Sequence, residues 1–469
     1  MATESTTPTV TAASAPTALS LSAAAVTIIS LAAGFVMSIV DTTVINIAGP
    51  EIQARLGVTL SGLTWVVDGY TLAFAALLLL AGSLAGRFGA KSVYLRGIAL
   101  FVVASALCGA APSSGVLIAG RLLQGMGAAL CMPSSLALLT NSFPDPKQRA
   151  RMVGVWASII SGAAALGPVL GGVLVGTIGW RSIFLLNIPI GIVGFVLSRR
   201  HIAAIPPRVF KPALLGHGLS IVWLAALCFA VIEGPVYGWS SAPILVAVAV
   251  AVLGAVLFVV EERTAAAPVL PRELLRKPRV NATNGISFLL NFGLFGVIFM
   301  FGLFIQKARG AGPLMAGLQM LPLWGLFVVG NILFTKITSK AGTRWPMVAG
   351  LGVAGVVSLG LATISADTPY WVLAVLIGID SLCIGVTVPA MTASLMEAAG
   401  QEYASAAGST LNATRQVGTL LGVAVVGAVL NVAGDWYTAA SVTFVVAACC
   451  YLASTLLAWA STRPQRTDR

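Results

Sequence analysis

The stretch Met37-Ser38-Ile39-Val40-Asp41-Thr42-Thr43-Val44-Ile45-Asn46-Ile47-Ala48-Gly49-Pro50-Glu51 decides how this chain is read. It belongs to an apolar helical run that starts near Ala23 and that carries one ionisable side chain, Asp41, in its interior. An acid at such a depth in a membrane helix costs at least ~2.5 kcal/mol even on the mildest insertion scale. Two readings meet that cost. Either the carboxylate is loaded and unloaded with protons, as acids at this depth often are, or it is held permanently by a basic neighbour.

The surrounding composition supports a membrane setting. Of 469 residues, 58% are hydrophobic and 9% charged, and the mean hydropathy of +0.96 lies far outside the range of soluble globular domains. A bilayer core of ~30 Å takes about 20 apolar residues per crossing, so the length accommodates a dozen or more helices with short loops and little soluble domain. The net charge of +12 would suggest nucleic acid in a soluble protein. In a membrane protein its distribution among loops reports topology instead, and no nucleic-acid partner is expected. Cys108, Cys131, Cys228, Cys383, Cys449 and Cys450 all fall in apolar runs without a C-x-x-C pattern, which favours packing over disulfides or a metal. The first 20 residues are rich in Thr, Ala, Ser and Pro and carry no Lys or Arg, so they lack the basic start of a cleavable signal and read as a disordered tail.

Apolar runs predict fourteen helices: six between Ala23 and Leu197, two at Leu214 to Ile232 and Ala242 to Val260, and six between Val280 and Ala460. Alternate loops differ in basic residues. One set holds Arg87, Lys91, Arg96, Lys147, Arg149, Arg151, Arg199, Arg200, Arg208, Lys211, the cluster from Arg263 to Arg279, Lys336, Lys340 and Arg344; the other holds only Arg55, Arg181, Lys307 and Arg309. Positive loops stay inside, so both termini are expected in the cytoplasm. Pro206-Pro207 and the Pro-rich connection Glu261 to Arg279 bracket two helices. The expected organisation is therefore a cytoplasmic tail (1–22), a six-helix bundle (23–205), a two-helix insertion with linker (206–279), a second six-helix bundle (280–462) and a cytoplasmic tail (463–469). Two such bundles are the arrangement of parallel repeats with a binding site at their interface.

Four local patterns resemble one family. Gly82-Ser83-Leu84-Ala85-Gly86-Arg87-Phe88-Gly89-Ala90-Lys91 is similar to the loop motif G-x-L-A-D-R-x-G-R-K of the major facilitator superfamily. Gly82, Arg87, Gly89 and Lys91 match, whereas Gly86 replaces an acid that in the family helps to latch the cytoplasmic helix ends. Arg121-Leu122-Leu123-Gln124-Gly125-Met126-Gly127 resembles the R-x-x-Q-G-x-G motif, whose Arg the family associates with proton coupling. Gly167-Pro168-Val169-Leu170-Gly171-Gly172 is similar to the signature of exporting branches; its glycines let helices approach closely and Pro168 allows a bend. Asp41-Thr42-Thr43 through Asn46, Trp65-Val66-Val67-Asp68-Gly69-Tyr70 and Trp180 through Gly191 look like the fourteen-helix drug:proton antiporter family. Met132-Pro133-Ser134-Ser135, Ile232-Glu233-Gly234-Pro235 and Asn412-Ala413-Thr414-Arg415-Gln416 bring the resemblance nearest to methylenomycin A resistance exporters. The resemblance implies an all-α major facilitator fold in a bacterial plasma membrane. It further implies a monomer that exports a small antibiotic-like molecule against protons, without another cofactor.

Depth along the helices adds a reading independent of family. Asp41, Asp68 and Arg121 each lie seven or eight residues from an outer helix end, ~10 Å below the surface, and are expected to form one electrostatic unit for proton coupling. Asp380 and Arg415 both fall near the midplane, where they either pair or leave Asp380 facing the cavity as a cation-binding acid. Asn46, Gln124, Asn291, Gln319, Asn412 and Gln416 either line a substrate path or bond between helices for ~0.6 kcal/mol each. Glu233 marks either an outer gate or a solvated helix end. A nutrient or metabolite transporter running solute inward with protons is the alternative function, and the G-P-x-x-G-G helix argues against it. An enzyme is disfavoured, since no H-E-x-x-H, acid cluster or phosphate-cradling loop is present.

Overall fold

The structure, a computed structural model, describes residues 21–461 except 144, 208–212, 266–267, 270–271 and 401. The two predicted tails therefore lie outside the described residues, apart from 21 and 22. Among the described residues fourteen helices are long and apolar enough to cross a membrane, the number required by the hydrophobic runs. In chain order the first bundle comprises α1 (Leu21–Leu56), α2 (Leu60–Phe88), α3 (Ala90–Gly109), α4 (Ser114–Ser142), α5 (Pro146–Thr177), and one interrupted span, α6 (Arg181–Leu185) with α7 (Asn187–His201). The pair α8 (Leu214–Tyr237) and α9 (Ala242–Thr264) follows, and then the short α10 (Arg272–Leu275). The second bundle comprises α11 (Pro278–Lys307), the interrupted span α12 (Pro313–Gln319) with α13 (Leu321–Ala341), α14 (Arg344–Leu361), α15 (Tyr370–Ala399), α16 (Ala404–Val432) and α17 (Trp436–Ser461). Both interruptions precede a proline, Pro189 or Pro322, in the first turn of the following helix, where a residue without an N–H is tolerated.

Helix α1 departs from the sequence reading. The apolar run was expected to close at Ala48, before Gly49-Pro50, yet the helix continues through Pro50 to Leu56. Pro50 cannot donate to the carbonyl four residues earlier, and α11 closes over this segment. Nε2 of Gln306 donates to the carbonyl of Ile47 at 3.1 Å. A side chain at Gly302 would stand 3.0 Å from the carbonyl oxygen of Asn46. Helix α11 thus packs over the proline-broken turn and bonds the carbonyl next to that of Asn46, which Pro50 cannot bond.

The two bundles repeat one packing pattern. In the first, α1 packs on α5 and α7, α2 on α4, and α3 on α4 and α7; in the second, α11 packs on α16 and α17, α13 on α15, and α14 on α15 and α17. The bundles meet along two seams, α2 with α16 and α5 with α12 and α13. Helix α8 lies against both α2 and α16 and so covers one seam only, while α9 packs on α8 and turns Leu245, Val246, Val252, Leu253 and Val256 outward. Since lipid tails are as apolar as these side chains, close packing rather than burial from water holds such helices together.

Several contacts between the bundles lie near the end whose loops are poor in Lys and Arg, here termed the charge-poor end. Besides Gln306 on Ile47, Gly49 meets Leu303 and Gly427 meets Thr64. On the other side of these contacts, toward the basic end, a cavity of about 70 Å³ opens between the bundles.

Candidate functional site

Glycine packing fixes the position of α1. A Cβ at Gly167 of α5 would collide with Thr43, and one at Gly171 would stand 2.8 Å from Val44. A Cβ at Gly172 would stand 2.7 Å from the carbonyl oxygen of Pro313, and one at Gly317 would collide with the carbonyl of Pro168. The Gly167-Pro168-x-x-Gly171-Gly172 motif is therefore a three-way joint: one face receives α1, the other receives α12 of the second bundle. It holds the α1 turn that begins with Asp41 against the first bundle's interior.

There Asp41, 3% exposed, meets the fully buried Arg121 of α4. Nη1 of Arg121 donates to Oδ2 of Asp41 in an ion pair. Oδ1 accepts from Nε2 of Gln124 at 3.2 Å and from Nδ2 of Asn187 at 3.3 Å. Gln124 also accepts from Arg121 at 3.0 Å and donates to Ser105 at 2.9 Å. Nε of Arg121 donates to the carbonyl of Val66 at 2.8 Å, and the guanidinium stacks on the Tyr70 ring, 4.6 Å from its centroid. Five helices, α1, α2, α3, α4 and α7, thus converge on one ion pair. Nη2 of Arg121 alone of its nitrogens lacks a hydrogen-bond partner; either member of such a buried pair left without the other would be strongly destabilising.

Arg121 also lines the cavity between the bundles, together with Ser38, Thr42 and Asn46 of α1, Tyr70 of α2, Phe295 of α11, and Gln416 and Thr419 of α16. Its lining is mixed polar and apolar, and the pair stands with its cation toward the cavity and its acid behind. A proton delivered to Asp41 would remove the charge that holds Arg121.

Asp68 corrects the expectation of one three-membered unit. It is fully buried, but neither carboxylate oxygen has a partner. Depth along a helix says nothing about direction around it. Val66 and Tyr70 turn toward Arg121, and Asp68 shares a helix stripe with Trp65 and Leu72, which meet α8.

The second bundle also differs from both readings offered for Asp380 and Arg415. Oδ1 of Asp380 accepts from Oγ of Ser358 in α14 at 3.1 Å, and the residue is absent from the cavity lining. Among the described residues no ion pair joins it to Arg415. Gln124 and Asp380 each stand ten residues beyond the first residue of their helices, at 114 and 370, and each bonds a serine of the preceding span, Ser105 or Ser358. Asp380 is thus the second bundle's counterpart of Gln124. Arg415 is half-buried, on the α16 stripe that also carries the exposed Asn412 and the cavity residue Thr419.

Of the other predicted path residues, Asn46 lines the cavity and donates to the Thr42 carbonyl at 3.0 Å. Asn291 is buried one turn from Phe295, bonded to the Ser287 carbonyl at 2.8 Å. In the loop motif, Lys91 donates to the carbonyl of Arg199 at 2.9 Å. Gly89 makes the turn with φ +85°, Arg87 lies over Phe88, and Gly82 and Gly86 face open space. Asn187 was missed as an individual residue. It lay inside the quoted Trp180 to Gly191 motif, and only the fold brings it to Asp41.

The Major Facilitator Superfamily profile matches residues 31–230 and 202–423. The chain belongs to the major facilitator superfamily. Its relatives within that family include antibiotic and multidrug resistance proteins. A methylenomycin A resistance protein of Streptomyces coelicolor is 49% identical over 428 residues, 91% of this chain and 90% of that protein. One of Bacillus subtilis is 46% identical over 421 residues, 90% of each. The multidrug resistance protein Stp of Mycobacterium tuberculosis is 34% identical, covering 83% of this chain and 73% of its own length. This major facilitator is accordingly a multi-pass membrane transporter.

Proposed function

We propose that this protein exports a small antibiotic-like molecule in exchange for protons, with methylenomycin A the first compound to test, and so confers resistance. The observation that carries the reading is the Asp41–Arg121 pair, buried among five helices yet with its cation in the wall of the cavity between the bundles. Protonation of Asp41 frees Arg121 from α1. Helix α1 is held by the Gly167 and Gly171 joint, which also bears α12 through Gly172 and Gly317, so a shift of α1 is felt at the seam between the bundles. Asn46, Gln416 and Thr419 present polar groups to the solute while Phe295 and Ile298 present apolar ones. Protons are the coupling ion, and no further cofactor is required.

The basic end is placed in the cytoplasm with both termini, following the loop asymmetry. The contacts at the charge-poor end then describe a conformation closed to the outside, with the cavity on the cytoplasmic side. The monomer is the working unit, since its own two bundles complete the cavity.

Everted membrane vesicles energised to be acidic inside should accumulate methylenomycin A, and a protonophore should abolish the accumulation. Accumulation indifferent to the protonophore would overturn proton coupling. Raised solute content in intact cells expressing the protein would favour the inward symporter.

A further inference from the structure

Asp68 takes no part in the Asp41–Arg121 cluster. It is fully buried with both oxygens unpartnered, and on α2 it belongs to the stripe Trp65, Asp68, Leu72 and Ala76, spaced three or four residues apart. That stripe faces the one seam covered by the inserted helices. Leu72 and Ala76 pack with Leu224, Cys228 and Ile232 of α8 and with Leu420 and Ala424 of α16. The ionisable groups around Asp68 are few. Cys228 of α8 packs in the same cluster as Leu72 and Ala76 and lies within electrostatic reach of Asp68. Arg121 of α4 is held on the other side of α2 by Val66 and Asp41, with Tyr70 stacked on it. Arg415, the sole charged residue of α16, stands next in sequence to the cavity residue Gln416.

One further acid borders the same groove. Glu233 of α8 is half-buried, near the charge-poor end of its helix. Its Oε1 accepts from Nε1 of Trp65 at 2.8 Å, across 168 residues of sequence. Trp65 is one turn from Asp68 on α2. Cys228 precedes Glu233 by five residues on α8, about 7.5 Å of rise. The two acids therefore succeed one another along the α2–α8 groove, the half-buried one nearer the aqueous end and the fully buried one deeper.

We propose that Glu233 is the proton relay of Asp68. The proton leaves the Glu233 carboxyl, passes through water in the α2–α8 groove and binds an Asp68 oxygen; Glu233 is then reprotonated from the solution at the charge-poor end. The two inserted helices give the proton a lateral route of its own, along the seam they cover, while the opposite seam and the central cavity serve the solute. This rests on reading Asp68 as a coupling acid.

The test needs no knowledge of the solute. Purified protein in liposomes is subjected to a pH jump, and the carboxylic-acid infrared band that vanishes in Asp68→Asn is followed in time. Glu233→Gln keeps an oxygen to accept from Trp65 but cannot carry a proton. The Asp68 band should then grow at least about tenfold more slowly, recover with millimolar azide or formate as a mobile proton carrier, and be partly restored by Glu233→Asp. An unchanged rate in Glu233→Gln would overturn the relay, as would slowing that neither small acid rescues, which marks a packing role. The absence of any Asp68 band at any pH would overturn it too. Failure of the export reading would be seen separately, as wild-type liposomes that titrate Asp68 normally but move no methylenomycin A under a proton gradient.

Discussion

Replacing Asp41 by Asn separates the structural from the coupling role of the ion pair. The carboxylate accepts from Arg121, from Gln124 at 3.2 Å and from Asn187 at 3.3 Å. An amide retains one accepting oxygen and places an NH₂ among these donors. Arg121, fully buried, keeps only the Val66 carbonyl at 2.8 Å and Gln124 at 3.0 Å as partners, and its charge loses its counter-ion. A buried cation abandoned by its partner is destabilising by ~3–5 kcal/mol. Judged from the sequence, the neutral amide would be the cheaper residue to insert; the pairing reverses that expectation. Asp41→Asn combined with Arg121→Gln removes both charges and should recover most of the loss, giving a coupling energy of roughly 3 kcal/mol in the double-mutant cycle. Unfolding in mixed detergent micelles measures stability, and proton-driven uptake into everted vesicles measures function. Stability should fall and return across the series while transport is lost in all three variants. A single variant as stable as wild type, or additive losses in the double variant, would refute the assignment of a buried ion pair.

Gly172→Val should spare insertion but press on the Pro313 carbonyl, which a Cβ would meet at 2.7 Å; overpacking of ~1–3 kcal/mol at that seam should raise cysteine labelling at the charge-poor end, and unchanged labelling would count against the joint. Asp380→Asn should alter export of cationic and neutral compounds alike, because Asp380 is bonded to Ser358 away from the cavity; a selective loss of cationic substrates in a panel assay would contradict this. Arg415→Gln should fold at normal yield and change the preference for solute charge, since the half-buried residue stands next in sequence to the cavity residue Gln416. Asp435 caps α17, accepting from the N–H groups of Tyr437 and Thr438 at 2.8 and 2.9 Å and from the Thr438 hydroxyl at 2.6 Å. Chiefly the Thr438 bonds hold its carboxyl below the usual Asp range. Its folded value being depressed, the contribution is complete above the ordinary ~3.9 and is lost as pH falls through the lowered value. Amide exchange at the start of α17 should accelerate only there, and Asp435→Ala should exchange fast at every pH.

Hydrophobic run lengths determined the fourteen spans, because the bilayer thickness fixes how many apolar residues a crossing takes. Motif spacing singled out Asp41, Arg121, Gln124 and the Gly167 to Gly172 joint, since each needs a particular side chain, or none, at a given turn. Proline was a less reliable stop: Gly49-Pro50 ends an isolated helix, but α11 shelters the broken turn and α1 continues. Depth was legible as well, because rise per residue is constant, and Asp41 and Arg121 do meet. Direction around the helix was not. Asp68 shares the depth but lies on the stripe of α2 that meets α8, Asp380 turns to Ser358 and not to Arg415, and Asn187 and Glu233 gain their partners Asp41 and Trp65 from helices more than 140 residues away in sequence. A helix's own residues fix how deep a side chain sits; which neighbour it meets depends on how the helices rotate and cross, and only their packing together decides that.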